Sequence, residues 1–274
     1  MRINKLTIFF GIMLATCFKI TAQNTDTTTL PGKWQLVWSD EFNGKSIDTS
    51  VWNICLKPLC GIADCTNRPE NIRVENGNLV IEVKKEQYKS YQYTTGAITT
   101  QNKRSFLYGK FEMSAKLPRG SAVWPAFWTL GDNHKWPKGG EIDIFELWGG
   151  SSSNAINKDL DNKIWSTFHW LDSAGVHKQT ECSYTLPSGI FNDEYHIFCL
   201  EWDASNLYFS LDGNRYCTLP IVPAFYEALH QKHYILIDLA IQADQPGYVV
   251  DDSILPQKLY VDWVRVSQWK SDTK

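Results

Sequence analysis

The segment Gly139–Gly150, reading GGEIDIFELWGG, constrains this chain more than any other stretch. It sets Glu141, Asp143 and Glu146 inside an apolar run of Ile142, Ile144, Phe145, Leu147 and Trp148. A short apolar run bounded by glycines reads as a strand from a sheet core. Charged side chains rarely occupy such a strand unless they are paired or functional. Side chains alternate faces along a strand, so Glu141 and Asp143 share one face while Ile142 and Ile144 point to the other. Glu146 lies an odd number of residues from Glu141 and falls on the wrong face of a regular strand. One extra residue, a β-bulge near Ile144–Phe145, restores the parity and puts all three acids in one row.

Two glutamates flanking an aspartate suit the cleavage of a glycosidic bond. One glutamate attacks the anomeric carbon and the other protonates the leaving oxygen, with the two carboxyl groups about 5–5.5 Å apart when configuration is retained. The backbone separation is larger, roughly 13 Å for the strand steps left once the bulge is discounted. Two long side chains leaning together close that gap. Like charges so near each other raise one pKa, which favours a protonated acid near neutral pH.

The hexapeptide Glu-Ile-Asp-Ile-Phe-Glu, preceded by Trp124-Pro125-Ala126-Phe127-Trp128, resembles glycoside hydrolase family 16 on its laminarinase-like branch. That branch carries the bulged E-x-D-x-x-E form, and the lichenase branch has one residue fewer. The resemblance runs from about Trp34 to Gln268. It implies an all-β fold, a jelly-roll sandwich of two curved antiparallel sheets with a substrate cleft. It further implies Glu141 as nucleophile, Glu146 as general acid/base and Asp143 as the group that tunes the nucleophile. The implied activity is that of a retaining endo-β-glycanase on β-1,3- or mixed β-1,3/1,4-glucan, a polysaccharide or oligosaccharide substrate, with no cofactor for catalysis. The alternative within the family is an endo-β-galactosidase acting on algal galactan, poly-N-acetyllactosamine or mucin O-glycans. Outside hydrolysis stand a transglycosylase using the same intermediate and a non-catalytic lectin, against which the intact acid row counts.

The N-terminus reads as an export signal. Arg2 and Lys5 precede an apolar segment from Leu6 to about Phe18, too short to span a bilayer comfortably. Ile20-Thr21-Ala22 fits a cleavage site, which gives a leader over 1–22, a polar lead-in over 23–32 and one catalytic domain over 33–274. Lipid anchoring through Cys17 is the rival expectation, weakened because Thr16 stands where a glycine, alanine or serine is expected. Either way the protein is exported, to periplasm, cell surface or medium. No other run is long enough for a transmembrane helix.

A net charge of −3 without a basic tract argues against nucleic acid. The domain is expected to act as a monomer. Of twelve tryptophans some must be core, but so many in an exported protein suit a sugar-stacking cleft. Loss of the leader leaves Cys55, Cys60, Cys65, Cys182, Cys199 and Cys217, and an oxidising compartment makes disulfides the expected state. A local bridge among Cys55, Cys60 and Cys65 is one expectation; zinc is the rival, without ligand spacing to support it.

Strands are expected at Trp34–Trp38, across the Asn76-Gly77 hairpin, at Thr94–Thr100, Tyr108–Leu117, Trp165–Trp170, Tyr195–Trp202, Leu207–Leu211, His233–Ile241 and Lys258–Val266. Pro223–Lys232 reads as one short helix and Asn154–Lys163 as a loop. Trp124 and Trp128 share parity, with Phe127 opposite, so both are candidate cleft walls. Trp136 either lines a cleft end or covers a loop. In the family, the histidine of a Thr-x-His-Trp-like block faces the cleft, which makes His169 a candidate and leaves Trp170 open. The Asp40-Glu41-Phe42 and Glu201-Trp202 blocks have a structural role by the same resemblance. Asp262 matches a position that helps hold a structural calcium in relatives, yet one oxygen donor falls short of the about six to eight that calcium takes.

Two departures bear on substrate. Laminarinase relatives usually carry an arginine where this chain has Ala97, and a glycine pair with a tryptophan where it has Gln242-Ala243-Asp244-Gln245. Arginine and tryptophan orient sugars by bidentate hydrogen bonding and stacking. Their absence implies a remodelled negative-subsite region beside an unchanged catalytic row.

Overall fold

The computed structural model describes residues 32–57, 65–133, 136–149, 161–222, 226–242 and 249–271. Among them the fold is built from strands. The first half of the chain gives β1 (Gly32–Asp40), β2 (Asn53–Ile54), β3 (Cys65–Asn67), β4 (Ile72–Glu75), β5 (Asn78–Tyr88), β6 (Tyr91–Thr99), β7 (Gly109–Lys116) and β8 (Val123–Gly131). The second gives β9 (Glu141–Glu146), β10 (Lys163–Leu171), β11 (His177–Thr185), β12 (His196–Trp202), β13 (Asn206–Leu211), β14 (Asn214–Pro220), a single-turn helix α1 (Tyr226–Leu229), β15 (His233–Ile241) and β16 (Gln257–Ser271). The hairpin between β4 and β5 turns on Asn76 and Gly77, with φ of 53° and 75°, the left-handed pair that a tight two-residue turn requires.

Hydrogen-bonded neighbours run in the order β11-β10-β9-β8-β15-β6-β5-β16-β7-β12-β13-β14. Long β5 belongs to both halves of this order: Leu79–Val83 pair with β16, and Lys84, Lys85 and Tyr88 pair with β6. The sheet thus folds over on itself as a jelly-roll sandwich, which is the architecture expected from the sequence. Its inner layer is apolar and aromatic. Phe145 of β9 meets Phe198 of β12 at 4.1 Å between ring centroids, joining the two halves across the core. Phe127, Ile142, Phe168, Ile237 and Leu239 line the same interior with no exposure. Alternation along β8, β9, β10 and β15 sends the intervening residues to the other, concave face.

The family-like blocks near the ends of the chain fasten the sandwich. Asp40 accepts hydrogen bonds from the Trp52 indole at 2.8 Å and from the Phe42 amide at 2.9 Å. Glu41 takes a bidentate pair from Arg265 at 2.9 and 2.7 Å. Trp202 is buried, and Glu201 pairs with Arg215 at 3.0 Å.

Several expectations are corrected. Four strands, the short β2 and β3 and the longer β11 and β14, were not legible. β11 is mostly exposed and polar, so it carries no apolar alternation. The expected strand at Trp165 begins earlier, at Lys163, and of the described part of the helix expected over Pro223–Lys232 only Tyr226–Leu229 is helical. The leader with Cys17, the lead-in up to Pro31, Cys60, most of the Asn154–Lys163 loop and most of the Gln242–Gly247 departure lie outside the described residues. The structure adds one disulfide, Cys182–Cys217, with a Cα–Cα distance of 6.3 Å. It ties β11 to β14, the two ends of the strand order, so the bridge closes the sandwich where hydrogen bonding stops.

That bridge closes a loop of 35 residues, for which chain entropy predicts about 3–4 kcal/mol. The double variant Cys182→Ser/Cys217→Ser is therefore expected to lose stability on that order in chemical denaturation. No shift in the unfolding midpoint would show that the two edges are held by packing alone.

Candidate active site

The acid row is assembled by the strands on either side of β9. Against β8 the register runs Leu130↔Glu141, Thr129↔Ile142, Trp128↔Asp143, then Phe127↔Phe145 and Ala126↔Glu146, so Ile144 has no partner. Against β10, Glu141 faces His169, Asp143 faces Thr167 and Glu146 faces Trp165, with the irregularity at the same place. This is the bulge that parity required: Ile144 and Phe145 both point into the core, and Glu141, Asp143 and Glu146 all line one cavity of about 450 Å³. The carbonyl of Ile144 accepts a hydrogen bond from the Ser166 hydroxyl at 2.8 Å, and Tyr216 bonds the same hydroxyl at 2.7 Å.

The predicted cleft residues come together with the acids. Trp124 donates its indole N–H to Glu146 Oε1 at 3.0 Å, and Trp136 donates its own to Glu141 Oε2. Trp136 is 54% exposed, so it stands at a cleft end instead of covering a loop. Trp128 is largely buried in the floor and donates to Asp238 Oδ1 at 2.6 Å. His169 Nε2 lies 3.3 Å from Asp143 Oδ2, while its Nδ1 is 3.0 Å from His177 Nε2. Trp170 turns away: it stacks on the core residue Phe168 at an interplanar angle of 9°. Asp262 is exposed on β16, and among the described residues no group of three or more His, Cys, Asp or Glu side chains able to hold an ion surrounds it; the one such group is Glu141, Asp143 and His169.

Sequence reasoning missed Asp238, Trp148, Trp165, Gln179 and Glu181, all of which line the cavity. Asp238 had a readable signal, a lone acid in the apolar run ILIDLAI, the same anomaly that marks β9. Trp148 and Trp165 continue the aromatic wall from Trp124, with centroid spacings of 5.6 and 6.2 Å.

Burial dominates the electrostatics. Desolvation first, and the Asp143 charge second, push Glu141 up to about 8. Desolvation and the Glu141 charge push Glu146 up to about 7, and desolvation pushes Asp238 up to about 7. Asp143, fully enclosed, is raised by desolvation and by Glu146. These carboxyls cannot all be ionised together near neutral pH. The contact between Glu141 and Asp143 raises the first and lowers the second, so the proton they share rests on Glu141 and is donated to the Asp143 carboxylate. The arrangement supplies two glutamate carboxyls, each accepting an indole N–H and both raised enough to carry a proton, on the floor of an aromatic groove.

Comparison with known proteins agrees with this geometry. Residues 34–270 match the sequence family described as beta-porphyranase A-D, GH16 domain. The chain belongs to glycoside hydrolase family 16. It is 36% identical, over 86% of its length, to the clotting factor G alpha subunit of Tachypleus tridentatus, of which it spans 34%. It is 28% identical to the beta-glucanase of Rhodothermus marinus, matching 98% of this chain and 97% of that protein. The crystal structure of the laminarinase catalytic domain from Thermotoga maritima superposes with a TM-score of 0.74 at 33% identity, covering 88% of this chain and 99% of that one. The protein is thus a glycoside hydrolase with the jelly-roll fold of the laminarinases.

The raised carboxyls fix a sign for stability. A carboxyl whose folded pKa exceeds its unfolded value binds more protons in the folded state, so stability falls as pH rises between the two. For Glu146 the window runs from 4.5 to about 7. Glu146→Gln removes this loss and is expected to stabilise the protein by about 1–3 kcal/mol at pH 8, with little effect below pH ~4.5. Melting curves of both proteins across this range test it. An equal slope with pH in both would show that Glu146 is not raised.

Proposed function

We propose that this family 16 domain is a retaining endo-hydrolase of β-1,3- or mixed β-1,3/1,4-glucan. The observation that carries the reading is the bulged row itself, with Glu141 and Glu146 on one cavity floor and an indole N–H on each. The similarity to the Rhodothermus beta-glucanase and the Thermotoga laminarinase supports the glucan. An aromatic wall of Trp124, Trp148 and Trp165 suits pyranose faces.

In this reading the Glu141 carboxylate attacks the anomeric carbon while Glu146 delivers its proton to the departing glycosidic oxygen. The Trp136 N–H holds the attacking carboxylate in place. The resulting glycosyl ester on Glu141 is then opened by water, from which Glu146, now ionised, takes the proton. Burial raises both glutamates, Glu141 the further, so the reacting form is the one in which the proton rests on Glu146 and Glu141 is ionised. No cofactor enters. A structural calcium at Asp262 forms no part of the reading.

The reading extends to export: the 1–22 leader implies it, and the Cys182–Cys217 bridge suits an oxidising compartment. The domain is read as acting as a monomer. A second reading, hydrolysis of a galactan, is favoured by the family description, which names beta-porphyranases, and by Ala97 in place of an arginine.

Product analysis on laminarin, barley mixed-linkage glucan, agarose, porphyran and a poly-N-acetyllactosamine glycan separates the two. Gluco-oligosaccharides from the first two polymers are expected, with turnover lost on the order of 10³-fold or more in Glu141→Gln. Products from the galactose polymers alone would overturn the glucan reading and keep the chemistry. Unchanged turnover by Glu141→Gln would sink the mechanism.

A further inference from the structure

The mechanism leaves a buried carboxyl of the cleft without a task. Asp238 sits on β15 between Ile237 and Leu239, which point into the core with no exposure, while Asp238 points into the cavity. Its cross-strand neighbours are Ala97 on β6 and Ala126 on β8. Neither offers a charge or a hydrogen bond, so the adjoining strands leave Asp238 no cationic partner at its own level. Ala126 in turn faces Glu146, so Asp238, Ala126 and Glu146 form one row across three strands. At about 4.8 Å per strand, their backbones place Asp238 and Glu146 roughly 10 Å apart across a bare methyl group.

One oxygen of Asp238 is spoken for, since Oδ1 accepts the Trp128 indole N–H at 2.6 Å. Oδ2 takes no hydrogen bond from any described residue and is open to the cavity. The residue is only 5% exposed, so this oxygen has little water to compensate it. An oxygen so placed is costly unless a ligand supplies its donor.

We propose, on the glycan-hydrolase reading, that Asp238 is a specificity-determining residue whose free oxygen pairs with a hydroxyl of the bound sugar, committing that position to a neutral glycan and rejecting a sulfate ester or carboxylate there. A hydroxyl donates to the Asp238 carboxylate, a bond that the NH2 of an asparagine, itself a donor, cannot accept. An anionic substituent has no such match. Glu141, Asp143, Glu146, Glu181 and Asp238 all line the cavity, and no lysine or arginine is among its described lining residues. A sulfate would meet like charge from these acids in a partly desolvated site, where the one basic group among the described lining residues, His169, already faces Asp143.

Asp238→Asn tests this, because its amide oxygen keeps the Trp128 hydrogen bond and only the cavity-facing atom changes. Binding is measured by tryptophan fluorescence in the Glu141→Gln background, with laminarihexaose and neoagarohexaose as neutral probes and a sulfated porphyran hexasaccharide as the anionic one. Glu141→Gln is expected to bind one of the neutral probes more tightly than the sulfated probe. Adding Asp238→Asn is expected to weaken that neutral probe about tenfold or more and to narrow the difference. A purely structural role, holding Trp128, predicts equal affinities with asparagine and a loss only in Asp238→Ala. Equal affinities, tighter binding of the sulfated probe, or no binding of either neutral probe overturns the proposal. Turnover by the wild-type protein is scored separately, so a chain that binds neutral probes through Asp238 but cleaves none fails the hydrolase reading and not this one.

Discussion

The hydrogen bond from the Ser166 hydroxyl to the Ile144 carbonyl, 2.8 Å long, closes the gap left where β9 carries one residue more than its neighbours. A bulge leaves backbone groups without ladder partners, and in a core that exposes neither Ile144 nor Ser166 such groups must be satisfied locally. Tyr216, reaching over from β14, holds the same hydroxyl and so couples the bulge to the opposite half of the sandwich. Without the extra residue Glu146 would point into the phenylalanine core, and the cleft would hold one glutamate of the pair. The geometry of the site thus rests on a backbone irregularity buffered by two hydroxyl groups.

The rest of the fold makes that irregularity tolerable. Phe145, displaced by the bulge, packs on Phe198 across the core, and Phe127 and Phe168 fill the adjacent strands. The disulfide at the free edges of β11 and β14 limits the splay of the two sheets next to Tyr216. A stiff sandwich can then hold several carboxyls in a desolvated floor, where each raises its neighbours. This opposes stability above acidic pH, and it also keeps a proton available on a glutamate in neutral solution.

Much of this was legible in the residues because the anomalies were local. Three acids in an apolar strand, their odd spacing, and the shared parity of Trp124 and Trp128 each translate into a direction in a sheet. What was not legible depended on pairing between distant segments. β11 shows only polar alternation because its partners cover one side alone, so neither the strand nor its bridge through Cys182 was visible. Asp238 was overlooked although ILIDLAI shows the same lone-acid signature, since only the sheet order β6-β15-β8-β9 brings it beside Glu146. Asn76-Gly77 was legible because turn chemistry needs no partner at all.

In the proposed mechanism Glu141 and Glu146 act in succession on the same sugar through a covalent ester. The anomeric configuration of the first-formed product reports this directly. Proton NMR of the reaction on whichever polymer the protein cleaves is expected to show the β-anomer first, followed by slow mutarotation. An α-anomer appearing first would mean direct attack by water, and the roles assigned to the acid row would fall with it.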